Sequence, residues 1–152
     1  MAKEEFVNIT KEVVEQLLSL MGIEAKISVS EEEENILVNI ETEDTGILIG
    51  KHGETLEALQ FILGVVLQKR TGEWKRVAVD TGGYRDKQSE SLQRLATETA
   101  AKVKESGQPH SLFDLSPNQR RIVHTILSDD PGVVTESEGE GRERHLVVKP
   151  RE

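Results

Sequence analysis

Gly50 and Gly53 bracket a lysine and a histidine, Lys51 and His52. The turn follows an apolar segment, Ile47-Leu48-Ile49, and leads through Glu54-Thr55-Leu56 into an amphipathic run that reaches Leu67. Glycine lacks the side chain that keeps another backbone at a distance. A helix starting just after Gly53 turns its unbonded N–H groups and the positive end of its dipole toward the turn. That combination suits a phosphate. A second pair, Arg120 and His124, lies four residues apart, so both side chains share one helix face. A guanidinium fork and an imidazole N–H side by side can grip one phosphate.

Other chemistry fits these residues less well. A nucleoside-triphosphate loop needs four residues between its glycines and a hydroxyl after its lysine. Here three residues separate Gly46 from Gly50, and His52 follows Lys51. The chain has no cysteine, and His52, His110, His124 and His145 lack the spacing of zinc ligands. His124 could act as an acid or base in a nuclease, but no matching set of metal-binding carboxylates accompanies it. Neither a catalytic site, a metal nor a cofactor is expected.

The 152 residues suit one ordinary domain or two small ones, and 36% hydrophobic content allows a core. No apolar run is long enough to cross a bilayer, and the acidic start carries no secretion signal, so a cytoplasmic protein without membrane insertion is expected. A net charge of −9 argues against strong non-specific nucleic-acid binding, but the charge is unevenly placed. Residues 1–45 hold 3 Lys/Arg against 12 Asp/Glu, whereas residues 46–152 hold 16 of each. The acid peaks at Glu31-Glu32-Glu33-Glu34, read as a solvated turn that repels phosphate. A phosphate-binding surface should therefore lie away from it.

Helical spacing of Phe6, Val13, Leu17, Leu20 and Met21 predicts a first helix over 3–21. Alternation predicts strands at Ile23–Val29 and Ile36–Ile40. A short helical piece enters the glycine turn, and Leu56, Leu59, Leu63 and Val66 form the buried stripe of the next helix. Lys75 to Asp80 reads as a third strand, and Gly82-Gly83 as a joint. Beyond it a long helix runs from Tyr84 to Ser106, with Gln88, Leu92, Leu95, Thr99 and Val103 on one face. Leu112, Phe113 and Leu115 predict a short strand. Ser116-Pro117-Asn118-Gln119 has the form of a capping box opening the Arg120–His124 helix, with Ile122, Val123, Ile126 and Leu127 as core. Two closing strands, 133–138 and 144–149, complete the order.

The order helix, strand, strand, helix, Gly-x-x-Gly, helix, strand resembles a KH domain of the bacterial, type II arrangement, whose Gly-x-x-Gly loop clamps single-stranded nucleic acid. The resemblance implies bases in an apolar groove, here near Ile49 and Leu56. The second half resembles the single-stranded nucleic-acid-binding domain named for its Arg-x-x-x-His motif, with Arg120 and His124 in the motif positions. The expected fold is α+β, with a type II KH domain over 1–82 and a small α/β Arg-x-x-x-His domain over 83–152. In this order the two resemble the Jag family, also called the KhpB or EloR family, and Gly82-Gly83-Tyr84-Arg85 at the joint is similar to family sequences. Members usually carry a further N-terminal domain and a linker; these residues hold neither, and a fragment and a natural short form both stay open.

The resemblance implies a single-stranded RNA-binding protein of Gram-positive bacteria, linked to cell elongation and sporulation. Its implied partners are RNA, a small KH-only protein and a membrane insertase. The expected binding residues are Gly50, Lys51, His52, Gly53, Arg120 and His124, with Arg85 and Arg121 as weaker candidates. A protein-interaction scaffold with little RNA affinity is the rival expectation.

Overall fold

A computed structural model describes residues 1–152. The chain divides into two compact units, Met1–Arg85 and Asp86–Glu152. Each has its own apolar core.

In the first unit, α1 (Lys3–Leu20) precedes β1 (Lys26–Glu32) and β2 (Asn35–Glu41). A short helix, α2 (Thr45–Ile49), and a single 3-10 turn (Lys51–Gly53) lead into α3 (Glu54–Thr71), and β3 (Val77–Thr81) closes the unit. The sheet order is β1-β2-β3; β1 pairs antiparallel and β3 parallel to β2. Alternation decides which face is dry. Ile36, Val38 and Ile40 of β2 and Val77 and Val79 of β3 are buried against Phe6, Val13, Val14 and Leu18 of α1 and Leu59, Leu63 and Leu67 of α3. Ser28, Ser30, Leu37, Asn39, Ala78 and Asp80 border a shallow cavity of about 350 Å³ on the same sheet. Trp74 lies against Gly64 of α3, where an added Cβ would meet its ring at 3.2 Å. Ala58, Phe61, Ile62 and Val65 are left exposed on α3.

Several expectations need correction here. Leu20 and Met21 are 85% and 40% exposed, because α1 stops at Leu20 before its next turn can reach the core. Ile23 is buried but precedes β1 rather than extending it. The glutamate run is only partly a turn. Glu31 and Glu32 end β1, and Glu33 and Glu34 form the two-residue hairpin loop with φ of 49° and 68°. Glu31 is not solvated: its side chain is 8% exposed and accepts from Lys75 Nζ at 2.6 Å. That ammonium also lies 4.6 Å from the centre of the Phe6 ring. Leu56 is 5% exposed and packs in the core, as its place in the α3 stripe predicts.

The second unit is built on α4 (Tyr84–Ser106), whose first residues fall at the end of the first unit, followed by β4 (His110–Leu112) and α5 (Pro117–Leu127). The hairpin β5 (Val133–Glu138) and β6 (His145–Pro150) follows. β6 is central and antiparallel to both neighbours, giving the order β4-β6-β5. Leu92, Ala96, Ala100 and Val103 of α4, Val123 and Leu127 of α5, and Leu112, Val133, Leu146 and Val148 of the sheet form one core. Ile122 and Ile126 are half-buried at its edge rather than inside it. Phe113 is not a strand residue: β4 ends at Leu112 and the Phe113 ring is 64% exposed.

Candidate nucleic-acid interface

The Gly50–Gly53 turn owes its shape to backbone that other residues rarely adopt. Gly50 and Gly53 have φ of 71° and 78°, and His52 between them has φ 56°. A Cβ on Gly50 would lie 2.8 Å from Cβ of Thr55, and one on Gly53 would lie 2.9 Å from the Tyr84 ring and hydroxyl. Both glycines are thus required by conformation and by space. The turn is drawn in by Gly50 N–H donating to Gly46 O (3.0 Å) and Gly53 N–H donating to Gly50 O (3.4 Å). It opens directly onto the N-terminus of the 18-residue α3, where no side chain caps the first amides. The tip presents an exposed lysine and a half-buried histidine at the positive end of a long helix dipole.

Tyr84 is the support that the sequence motif did not reveal. Its ring packs on Gly53 from the start of α4, so the end of the first unit braces the turn. Burial, and then the nearby Glu57 carboxylate, raise the Tyr84 phenol above its ordinary 10.0. Arg85, one residue on, borders the cavity on the sheet, and its backbone N–H donates to Asp80 Oδ1 at 3.2 Å. Its side chain therefore belongs to the sheet face, whereas Lys51 and His52 belong to the turn.

In the second unit the capping box is complete. Ser116 Oγ accepts from Gln119 N–H at 3.1 Å, and Gln119 Oε1 accepts from Ser116 N–H at 2.9 Å. This start fixes where Arg120 and His124 fall, one turn apart on α5. Each is held by a different element. Arg120 Nη1 donates to the carbonyls of Leu115 (2.7 Å) and Arg144 (3.4 Å). His124 Nδ1 shares a hydrogen bond with Thr135 Oγ1 of β5. The guanidinium thus spends one nitrogen on the fold, and both side chains are oriented before any ligand arrives. Arg121 is exposed, and its carbonyl accepts from Thr125 Oγ1 at 2.9 Å.

The loops that Arg120 ties together carry two rings. Phe113 and His145 have ring centres 4.4 Å apart at 31° to one another. His145 Nδ1–H donates to the Glu143 carbonyl at 2.8 Å. No three His, Asp or Glu side chains converge into a metal-holding group. No helix is long and apolar enough to cross a membrane.

Comparison with known proteins defines the class first. Residues 11–80 match the family model described as KhpA/KhpB, KH domain, and residues 90–150 match the model of the Arg-x-x-x-His domain. This is a KH domain followed by an Arg-x-x-x-His domain, in a mixed α/β fold. In both domains and in their order the chain is similar to the KhpB, or Jag, family. It is 40% identical over 139 residues to the RNA-binding protein KhpB of Clostridium symbiosum, a match spanning 90% of this chain and 63% of that protein. The RNA-binding protein KhpB of Bacillus subtilis is 35% identical over 124 residues, 80% of this chain and 60% of its own length. That of Streptococcus pneumoniae strain D39 is 33% identical over 135 residues, 89% of this chain and 41% of its own length. The chain thus spans less than two thirds of each of these relatives.

Proposed function

We propose that this chain binds single-stranded RNA as a post-transcriptional regulator, without catalysing a reaction. The observation that carries this reading is the Gly50–Gly53 turn, a left-handed backbone with Lys51 and His52 at its tip and the uncapped start of α3 behind it. The left-handed glycines hold the turn tight against Thr55 and Tyr84 with Lys51 and His52 at its tip, and the helix N-terminus meets the charge of a phosphodiester. On this reading Gly50, Lys51, His52 and Gly53 hold one stretch of backbone. Arg120 and His124 hold another, with Arg121 as an outer cation and Arg85 a weaker contact on the sheet face. Domains divided near 82–83 would each supply one contact surface. The relatives are named as RNA-binding proteins, which supports the same assignment. By family, the role proposed is in cell elongation or sporulation, in the cytoplasm, with a membrane insertase among the associates.

The test is a titration of a labelled, mixed-sequence single-stranded RNA with the wild type and with Lys51→Asp/His52→Asp. The double variant should remain folded by circular dichroism and bind at least about tenfold more weakly, the loss of about 1.4 kcal/mol. Equal affinity in the folded variant would remove the turn from the interface.

A protein-scaffold reading is favoured by one observation, the exposed apolar face of α3. Phe61, Ile62 and Val65 are 74%, 45% and 41% exposed, and Trp74 is 65% exposed. A small KH-only protein is the proposed occupant. Capture of that partner should survive ribonuclease on the scaffold reading and be lost if RNA bridges the two.

A further inference from the structure

Phe113 is out of place on general grounds. Aromatic residues make up 3% of the chain, yet this one is 64% exposed in the connection just past β4. The next residue, Asp114, has φ 60°, a left-handed turn position that aspartate tolerates better than most side chains, and it ends the strand path just past the ring. The ring is partnered by His145 from the start of β6, at 4.4 Å between centres. The Glu143 carbonyl fixes the orientation of that imidazole. One donor ties the two segments together. Arg120 Nη1 reaches Leu115 O, two residues after Phe113, and Arg144 O, one residue before His145. The two segments that carry the rings are therefore both tied to the guanidinium of the Arg-x-x-x-His motif through their backbone, and the Phe113 ring is open to solvent.

We propose that Phe113 and His145 form a platform on which one unpaired nucleobase stacks, next to the phosphate held from α5. This deepens the RNA-binding reading and rests on it. Every base presents a π-face, so an exposed aromatic ring next to a cation suits a single strand of any sequence. Arg120 then has two roles, phosphate contact and positioning of the platform. The rings supply affinity that the acidic charge balance withholds, and they do so without reading sequence.

The test compares the full chain with Phe113→Ala, Phe113→Trp and His145→Ala on two strands of equal length. One strand is a mixed-sequence single-stranded RNA, and the other is an abasic strand with the same phosphates. Phe113 is exposed, so Phe113→Ala should fold normally, checked by its melting temperature. Stacking is worth about 5- to 150-fold in affinity per base, and Phe113→Ala and His145→Ala should lose an amount in that range on RNA. On the abasic strand the wild type and Phe113→Ala should bind alike. Phe113→Trp should bind RNA as the wild type does and, in a Trp74→Phe background, have its emission quenched by the RNA. Unchanged RNA affinity in Phe113→Ala would overturn the platform and leave the phosphate contacts standing. So would an equal loss on both strands, since a base-independent effect is not stacking. Failure of the wild type to bind RNA at low salt would overturn the RNA-binding reading itself, and the platform with it.

Discussion

At the residue scale, the glycines of the turn are constrained twice, once by φ and once by neighbours. Gly53→Ala would place a methyl 2.9 Å from the Tyr84 ring while holding φ near 78°. The expected cost is about 1–3 kcal/mol, read from the urea midpoint by far-ultraviolet circular dichroism. Gly46→Ala is the control: it lies in α2, and its added Cβ meets nothing within 4 Å. That change should be neutral or stabilising by up to about 1 kcal/mol, because alanine loses less entropy in a helix. Equal midpoints for the two variants would show that the turn tolerates a side chain at Gly53. The motif itself was legible from residue types and spacing. Its brace, Tyr84, was not, because a contact between positions 31 residues apart leaves no local pattern. The same holds for Glu31. A run of four acids reads as solvated, and only the fold brings Lys75, 44 residues on, to the buried carboxylate.

Elements were legible where local rules agree. The capping box of α5 and the 84–106 helix follow the sequence closely, since cap, periodicity and stop residues all coincide there. Agreement failed at ends and single residues. Periodicity assigned Leu20 and Met21 to a buried stripe that the helix ends too soon to bury. Phe113 read as strand by hydrophobicity alone, but the ladder stops at Leu112. The β1–β2 hairpin offers a prediction at this scale. Glu33 and Glu34 occupy the left-handed positions of a two-residue loop, which Asn-Gly fills with less strain. Glu33→Asn/Glu34→Gly should raise stability by about 1 kcal/mol in thermal or urea unfolding. A drop in stability would mean that the glutamates make compensating contacts.

Acid sensitivity also belongs to the elements. A hydrogen bond from Lys104 of α4, and then one from Gly132 N–H, hold the Asp130 carboxyl below its ordinary 3.8. A depressed folded value favours the native state at pH above 3.8, and that contribution is lost as pH falls through the lower folded value. Asp130→Asn should therefore flatten the acid limb of a stability-against-pH curve while leaving its slope near neutrality unchanged. An identical acid limb in the variant would detach this pair from the stability of the second unit.

At the scale of the whole molecule, a net charge of −9 and the proposed nucleic-acid-binding role have to coexist. Uneven placement reconciles them. The first 45 residues carry the excess acid, and the remaining 107 residues balance. Much of that acid sits on α1 and the β1–β2 hairpin. Affinity must then come from a few placed contacts rather than from a basic field, and the salt dependence should be modest. Each phosphate neutralised on a single strand contributes a slope of about −0.7 in log affinity against log salt. Two or three contacts predict a total of about −1.5 to −2.

The most direct measurement is that slope, for single-stranded RNA between about 50 and 200 mM salt, taken on the wild type and on Lys51→Asp/His52→Asp. The expected wild-type slope is about −1.5 to −2, and the folded double variant should bind more weakly with a slope shallower by about 0.7–1.4. Identical affinities and identical slopes would contradict the phosphate clamp, since the Gly50–Gly53 turn would then carry no phosphate.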